Sequence, residues 1–244
     1  MLTTRQLAGV FFGSVDRAEH RLRELTQARV LARFRPRTRH GEGSAPYHYV
    51  LGPLGAAVLA AERGTDVRRL GYRADKALAL AHSQRLAHVV GANGFFTALA
   101  ASARQDRSQA ASLAMWLSER ACRDRWGQVV RPDGYGRWRQ GGAEVDFFLE
   151  YDRGTEPLDR MAAKLYGYGE LADATGILTL VLFWLPTSAR EASVRRALAG
   201  GARWSRVRFP VATASPTLGP GPADAAWLPL GHTWPRRRLI ELAE

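Results

Sequence analysis

The sequence predicts a mixed α/β fold divided between a small N-terminal unit and a larger sheet-based one. Three observations carry that prediction. The first 64 or so residues pass from short helical patterns to two strand-like runs. From residue 111 onward, apolar runs and helical patterns alternate, as they do in a sheet with helical crossovers. Between Ile177 and Leu185 the chain is almost continuously apolar, as expected of a strand buried on both faces.

Taken in order, Thr3 or Thr4 can N-cap a short helix carrying Leu7, Val10 and Phe11. Ser14 starts a second helix, with Ala18, Leu22 and Leu25 on one face. Val30 to Arg35 reads as a strand, 36–46 as a loop rich in Gly, Arg and Ser, and Tyr47 to Leu51 as the returning strand. Gly52-Pro53 opens a further helix through Glu62, because proline suits the first helical position. Helix, helix and two-stranded wing is the layout of a winged helix-turn-helix, whose second helix enters the major groove. The basic residues fall where that layout needs them. Arg17, Arg21 and Arg23 lie on the second helix; Arg33, Arg35, Arg37 and Arg39 line the wing, with His40 at its tip. These are the candidate DNA contacts, and the partner they imply is double-stranded DNA. A solvated face, or a dimerising regulator built as a homodimer, remains open on the same residues.

Residues 1–70 are read as this unit, 71–110 as a helical connector and 111–244 as the second domain. The connector carries a long helical pattern from Lys76 to Arg104, which Asn93-Gly94 can break. His82 and His88 are six apart, too far for a helical metal pair. In the second domain Leu113 to Leu117 reads as a strand ending at Ser118-Glu119, which puts Glu119 on a strand. Ala143 to Tyr151 is the central strand, Leu158 to Ala172 a helix, Ser188 to Ala199 a helix capped by Ser188, and Val207 to Ala212 a last strand. Trp227 and Trp234 are expected to pack the Pro/Gly-rich tail onto the body; Trp126 and Trp138 are candidate base-stacking platforms.

Composition narrows the function. Lys+Arg is 35 against 23 Asp+Glu, a net charge of +12, which calls for a polyanionic partner. Only Lys76 and Lys164 are lysines, so an arginine-rich proteome accounts for part of this. The lone Cys122 excludes an internal disulfide and a Cys-based zinc site. With no uninterrupted run of 18 apolar residues and no basic-then-apolar N-terminus, the expectation is a cytoplasmic protein without a membrane span. No phosphate-binding loop of the Gly-x-x-x-x-Gly-Lys type occurs, which argues against ATP hydrolysis, and there is no paired-His motif.

The sharpest chemical signal is a set of acids. Arg131-Pro132-Asp133-Gly134 precedes a strand pattern and places Asp133 just before a turn. The run Phe148-Leu149-Glu150-Tyr151-Asp152-Arg153-Gly154-Thr155-Glu156 follows, with Glu150 and Asp152 two apart and so on one strand face. One acid from one strand and two from the next can converge on Mg²⁺ or Mn²⁺, hard cations that take oxygen ligands. Such a centre suits phosphodiester hydrolysis.

Strand, Pro-Asp, strand, Glu-x-Asp and helix, in that order, resemble the PD-(D/E)xK nuclease superfamily. The restriction-endonuclease-like fold of the second domain is expected on that ground. More closely, the chain resembles the replication-relaxation family of bacterial mobile elements. The resemblance rests on Thr3-Thr4-Arg5-Gln6-Leu7, Trp116 ahead of Glu119, Pro132-Asp133-Gly134, the Glu150 to Glu156 run, and Lys164 with Tyr168. It implies a plasmid-type role in replication, relaxation or mobilisation, with Asp133 and Glu150 as metal ligands and Asp152 assisting. The superfamily lysine belongs two residues after the second acid, where this chain has Asp152. Lys164 is the candidate replacement, sharing a helix face with Tyr168 at i, i+4, while Arg153 is the alternative phosphate partner. Asp133, Glu150, Asp152 and Lys164 are thus the candidate catalytic set of a DNA-nicking endonuclease. Against it stands an inactive origin-binding or operator-binding protein, in which the same acids pair with Arg153, Arg160 or Lys164.

Overall fold

The computed structural model describes residues 1–36, 44–79, 81, 83–106, 108, 110–200, 208–219 and 221–243. Its elements form a mixed α/β chain with two compact units, Met1–Thr97 and Ala98–Glu244.

The first unit is built on a three-stranded sheet of order β1-β3-β2, from Leu2–Thr3, His48–Leu51 and Leu31–Phe34. β1 is a strand that the sequence pattern did not disclose, because two residues are too short to show alternation. Thr3 ends it and at once caps α1 (Thr4–Phe11): its side chain accepts from the Gln6 N–H, and the Gln6 side chain accepts from the Thr3 N–H. Ser14 caps α2 (Val15–Gln27) in the same way through the Arg17 N–H. Ala8, Ala18, Leu22 and Tyr49 form a small core between the helices and the sheet. β2 pairs with β3 in antiparallel register, Arg33 opposite Tyr49 and Phe34 opposite His48. α3 (Pro53–Glu62) follows. A Cβ on Gly55 would lie 2.2 Å from the Val30 carbonyl oxygen, so this helix needs glycine there to approach the strand.

The expected long helix of the connector is two helices, α4 (Ala74–Ala79) and α5 (Leu86–Gln105). Asn93-Gly94 does not break α5: Asn93 donates to the Met1 carbonyl, and Gln6 donates to the Val90 carbonyl beside Gly94. α5 is long and apolar enough to cross a membrane by length and composition; Phe95, Phe96 and Leu99 on it are buried inside the protein.

The second unit is a six-stranded sheet of order β4-β5-β6-β7-β8-β9. β4 (Ala111–Ser118), β5 (Gly134–Gln140) and β6 (Ala143–Tyr151) form an antiparallel meander, with α6 (Glu119–Trp126) between the first two. β7 (Leu180–Trp184) and β8 (Val211–Ala214) then run parallel to β6, with α7 (Leu158–Thr175) and α8 (Ser188–Ala199) as the crossovers. β9 (Leu228–Pro229) closes the edge, and a 3-10 turn, Leu239–Leu242, ends the described chain. Met161, Leu165 and Tyr168 of α7 and Val194 and Leu198 of α8 share one core with Tyr135, Phe148, Val181 and Phe183 of the sheet. Both helices therefore cover the same sheet face.

Several expectations need correction. Glu119 opens α6 and is not on a strand; Ser118 turns the chain, its side chain accepting from the Ala121 N–H. Thr187, not Ser188, caps α8. β7 starts at Leu180 because Gly176, left-handed at φ 70°, terminates α7 and leaves Ile177 and Leu178 exposed. The last parallel strand is Val211–Ala214, later than expected; residues 201–207 lie outside the described residues. Trp227 is fully buried, but Trp234 is 77% exposed and anchors nothing. Trp138 is fully buried and offers no face to a base; Trp126 is half-buried, in a T-shaped contact with Phe148.

Candidate functional site

The turn of the β5–β6 hairpin is Gly141-Gly142, both at positive φ. Asp133 therefore stands at the opposite end, immediately before β5, and not before a turn. Gly134 pairs with Leu149, so continuing the antiparallel register places Asp133 opposite Glu150. The Asp133 N–H donates to the Leu149 carbonyl at 3.0 Å, and its Oδ2 accepts from the Tyr151 N–H at 2.8 Å. The side chain thus takes the place of a backbone acceptor where the ladder ends.

Glu150 is 2% exposed, and protein donors reach both its oxygens. Tyr168 Oη donates to Oε1 at 2.5 Å and Lys164 Nζ to Oε2 at 2.8 Å. The i, i+4 spacing of Lys164 and Tyr168 on α7 brings both donors over the end of β6. Lys164 also donates to Glu156 Oε2 at 2.8 Å, so its ammonium lies between two carboxylates. Burial pushes the Glu150 carboxyl above the ordinary carboxylate value; Lys164 opposes this and Asp133 adds to it. Burial would lower the Lys164 ammonium, but Glu150, Glu156 and Asp133 together hold it above its ordinary value. The two directions agree on one state: a shared proton-rich pair whose cation does not dissociate near neutrality. Burial, then Glu150, raises the Tyr168 hydroxyl well above its usual value, so it serves as a donor. Beneath them the buried Cys122 thiol is pushed up to about 12, first by burial and then by Asp133, and is inert.

Asp152 belongs to a different pair. It lies one residue past β6, is 3% exposed, and accepts from Arg190 Nε of α8 at 2.7 Å and from the Gly154 N–H at 2.8 Å. Arg190 also donates to the Glu156 carbonyl, so one guanidinium ties both ends of the 152–156 loop. No motif or spacing marks Arg190, which meets Asp152 across 38 residues. Glu156 was visible within the motif, but its contact with Lys164 depends on how that loop folds back over α7.

The donor chemistry of Asp133 and Glu150 is that of a Mg²⁺ ligand set, but their arrangement does not fit the ion. Both Glu150 oxygens and one Asp133 oxygen already accept from protein donors. Asp152 is neutralised by Arg190. Among the described residues no cluster of three or more His, Cys, Asp or Glu side chains is placed to hold a metal.

The basic candidates are in the first unit. Arg17, Arg21 and Arg23 are exposed on α2, but so are Asp16, Glu19 and Glu24, and Arg21 pairs with Glu24 at 2.7 Å. The helix carries as many acids as arginines, so positive charge is concentrated on the hairpin. There Arg33 and Arg35 are exposed, their guanidinium carbons 4.2 and 4.0 Å from the centre of the Tyr47 ring. Arg35 and Tyr47 border a cleft of about 410 Å³ shared with Arg5, Glu19 and the capped start of α1. Arg37, Arg39 and His40 lie outside the described residues.

No curated protein and no solved structure matched this chain. The family model described as replication-relaxation matches residues 1–180, ending at the first residue of β7, so that Arg190 and α8 lie beyond it. With the whole first unit and the Asp133, Glu150 and Lys164 corner inside the match, the chain belongs to the replication-relaxation family.

Proposed function

We propose that this protein serves mobile-element or plasmid replication or relaxation as a double-stranded-DNA-binding protein. In this reading the first unit works as a winged helix, α2 lying along the major groove and the β2–β3 hairpin gripping phosphate. The observation that carries it is the hairpin: two exposed arginines stacked on one tyrosine, with no acid on either described strand. Stacking holds the guanidinium planes in place and leaves their N–H groups to point outward, which suits phosphate oxygens. The second unit, arranged like a PD-(D/E)xK nuclease, is a scaffold whose acids are closed by Lys164, Tyr168 and Arg190. A net charge of +12 supports the polyanionic partner.

One observation favours a second reading, strand cleavage: Asp133 and Glu150 occupy facing register positions, and Lys164 sits on Glu150. A single set of experiments separates the two. Supercoiled plasmid is incubated with the protein in Mg²⁺, in Mn²⁺ and in EDTA, beside the Asp133→Ala variant, and binding is followed by gel shift. Binding without nicking is the expected result. Metal-dependent open circles, lost in Asp133→Ala, would establish the nuclease. Replacing Arg33 and Arg35 with Ala should weaken binding and make its log–log salt dependence shallower by about two. Unchanged binding in that variant would end the winged-helix assignment.

A further inference from the structure

We infer that the second unit carries its own DNA-phosphate surface, formed by α6 and Arg131 beside the Asp133 corner. This rests on the reading of the chain as a DNA-binding protein, but not on the hairpin being the contact. α6 turns Cys122 and Trp126 toward the core and leaves Arg120 and Arg123, one turn apart, exposed with Asp124 beside them in sequence. Arg120 and Arg123 have side chains 69% and 50% exposed and share one acid, Asp124, at 3.8 and 4.0 Å. Separations that long, in solvent, leave both guanidinium groups available to another anion. Arg125, exposed on the opposite flank of the helix from Arg123, lies over the Trp126 ring at 5.1 Å and stands apart from this pair.

Arg131 extends the patch toward the acids. Its Nε donates to the Gly127 carbonyl at the end of α6, at 3.2 Å, which leaves the terminal nitrogens of the fork outside that bond. Gly127 also sits against the Arg123 side chain: a Cβ there would lie 2.8 Å from Arg123 Cγ. Arg123 and Arg131 are therefore neighbours across one glycine. The segment between them passes tightly under α7, since a Cβ on Gly167 would lie 2.9 Å from the Val129 carbonyl oxygen. Arg131 thus emerges between α6 and α7, two residues before Asp133.

The structural alternative is that these arginines only complement the C-terminal end of α6, where cations are favourable. One cation satisfies that role. Arg120, Arg123 and Arg131 around the single acid Asp124 exceed it, and forked cations gathered on one surface are what a phosphate backbone takes up. The consequence is two DNA contacts on one chain, one in each compact unit.

The test measures binding of full-length protein to an end-labelled, random-sequence duplex across a salt series, with circular dichroism to check folding. Four proteins are compared: the unaltered chain, Arg33→Ala with Arg35→Ala, Arg123→Ala with Arg131→Ala, and Arg123→Lys with Arg131→Lys. The expected result is that Arg123→Ala with Arg131→Ala flattens the log–log salt slope by about two, while the lysine pair keeps most of it. If the alanine pair leaves affinity and slope unchanged while the hairpin pair loses both, the second surface is wrong and the hairpin reading stands. If the hairpin pair alone is without effect, the α6 surface stands and the winged-helix reading falls. An equal loss in the alanine and lysine pairs would mark the arginines as structural and overturn the proposal.

Discussion

At the scale of single residues, Glu150 is a carboxylate buried in the second unit and dependent on two donors. Its two oxygens take one donor each from Tyr168 and Lys164, and removing either leaves an under-satisfied carboxylate in the core. Tyr168→Phe keeps the ring in its aromatic stack with Phe148 but deletes the donor. It should cost about 1.5–3 kcal/mol in urea unfolding, as for a hydrogen bond to a charged group. Lys164→Met should cost about 3 kcal/mol at neutral pH, the lower end for a broken buried pair because the Lys164 side chain is 29% exposed. That cost should depend on pH. The Glu150 pKa stands above its unfolded value near 4.5, so the folded state holds the proton more tightly than the unfolded chain. Stability from that proton is complete below the unfolded value and is lost as pH rises through the folded one. Without Lys164 the folded value climbs further, so the deficit of Lys164→Met should shrink as the solution is made acid. A deficit that stays constant with pH would mean that Glu150 is not the group being neutralised. The acids themselves were legible in the sequence by type and spacing; their partners were not. Period-2 alternation put Glu150 and Asp152 on one face, but Asp152 lies past the strand end and turns to Arg190, a partner supplied only by the parallel crossover.

At the scale of elements, local chemistry forecast the structure where it acted within a turn or two of chain. Thr3 capping α1, Ser14 capping α2 and Pro53 opening α3 are all contacts between near neighbours. The pattern misled where a tertiary contact decided the outcome. Gly94 suggested a break, but a helix can carry glycine when another element packs against it, as Gln6 does here. Glu119 follows an apolar strand directly, so periodicity alone extends the strand; the Ser118 cap ends it. Gly136 is a further case with a measurable consequence. It faces Phe147 across β5 and β6, and a Cβ there would lie 2.4 Å from the Phe147 ring. Gly136→Ala must displace an aromatic ring that is fully buried, and should lower stability by about 1–3 kcal/mol. Gly169→Ala on α7, where an added Cβ meets nothing, should be neutral or stabilising in the same measurement.

At the scale of the whole molecule, the chain consists of two compact units with different optical reporters. All seven tryptophans lie beyond residue 98, so intrinsic tryptophan fluorescence follows the second unit alone. That unit closes on its C-terminal segment through Glu191, buried on α8, which is held by Arg236 at 2.9 Å and by the Thr213 hydroxyl at 2.6 Å. Arg236→Ala strands the Glu191 charge and should lower the fluorescence-detected melting temperature sharply. Binding through the hairpin should survive at temperatures where both units remain folded; its loss there would mean that the two units do not act separately. The mixed α/β class was legible from composition and pattern, and Trp227 signalled that the C-terminal segment packs onto the body; β1, β9 and the Glu191–Arg236 pair were not legible, because two-residue strands and a pair 45 residues apart leave no periodic trace. The pinning of Lys164 has one more consequence, for covalent labelling. An amine acylates only as the free base, and the ammonium of Lys164 is held in its charged form by two carboxylates. Amine-reactive dyes at neutral pH should therefore pass over Lys164.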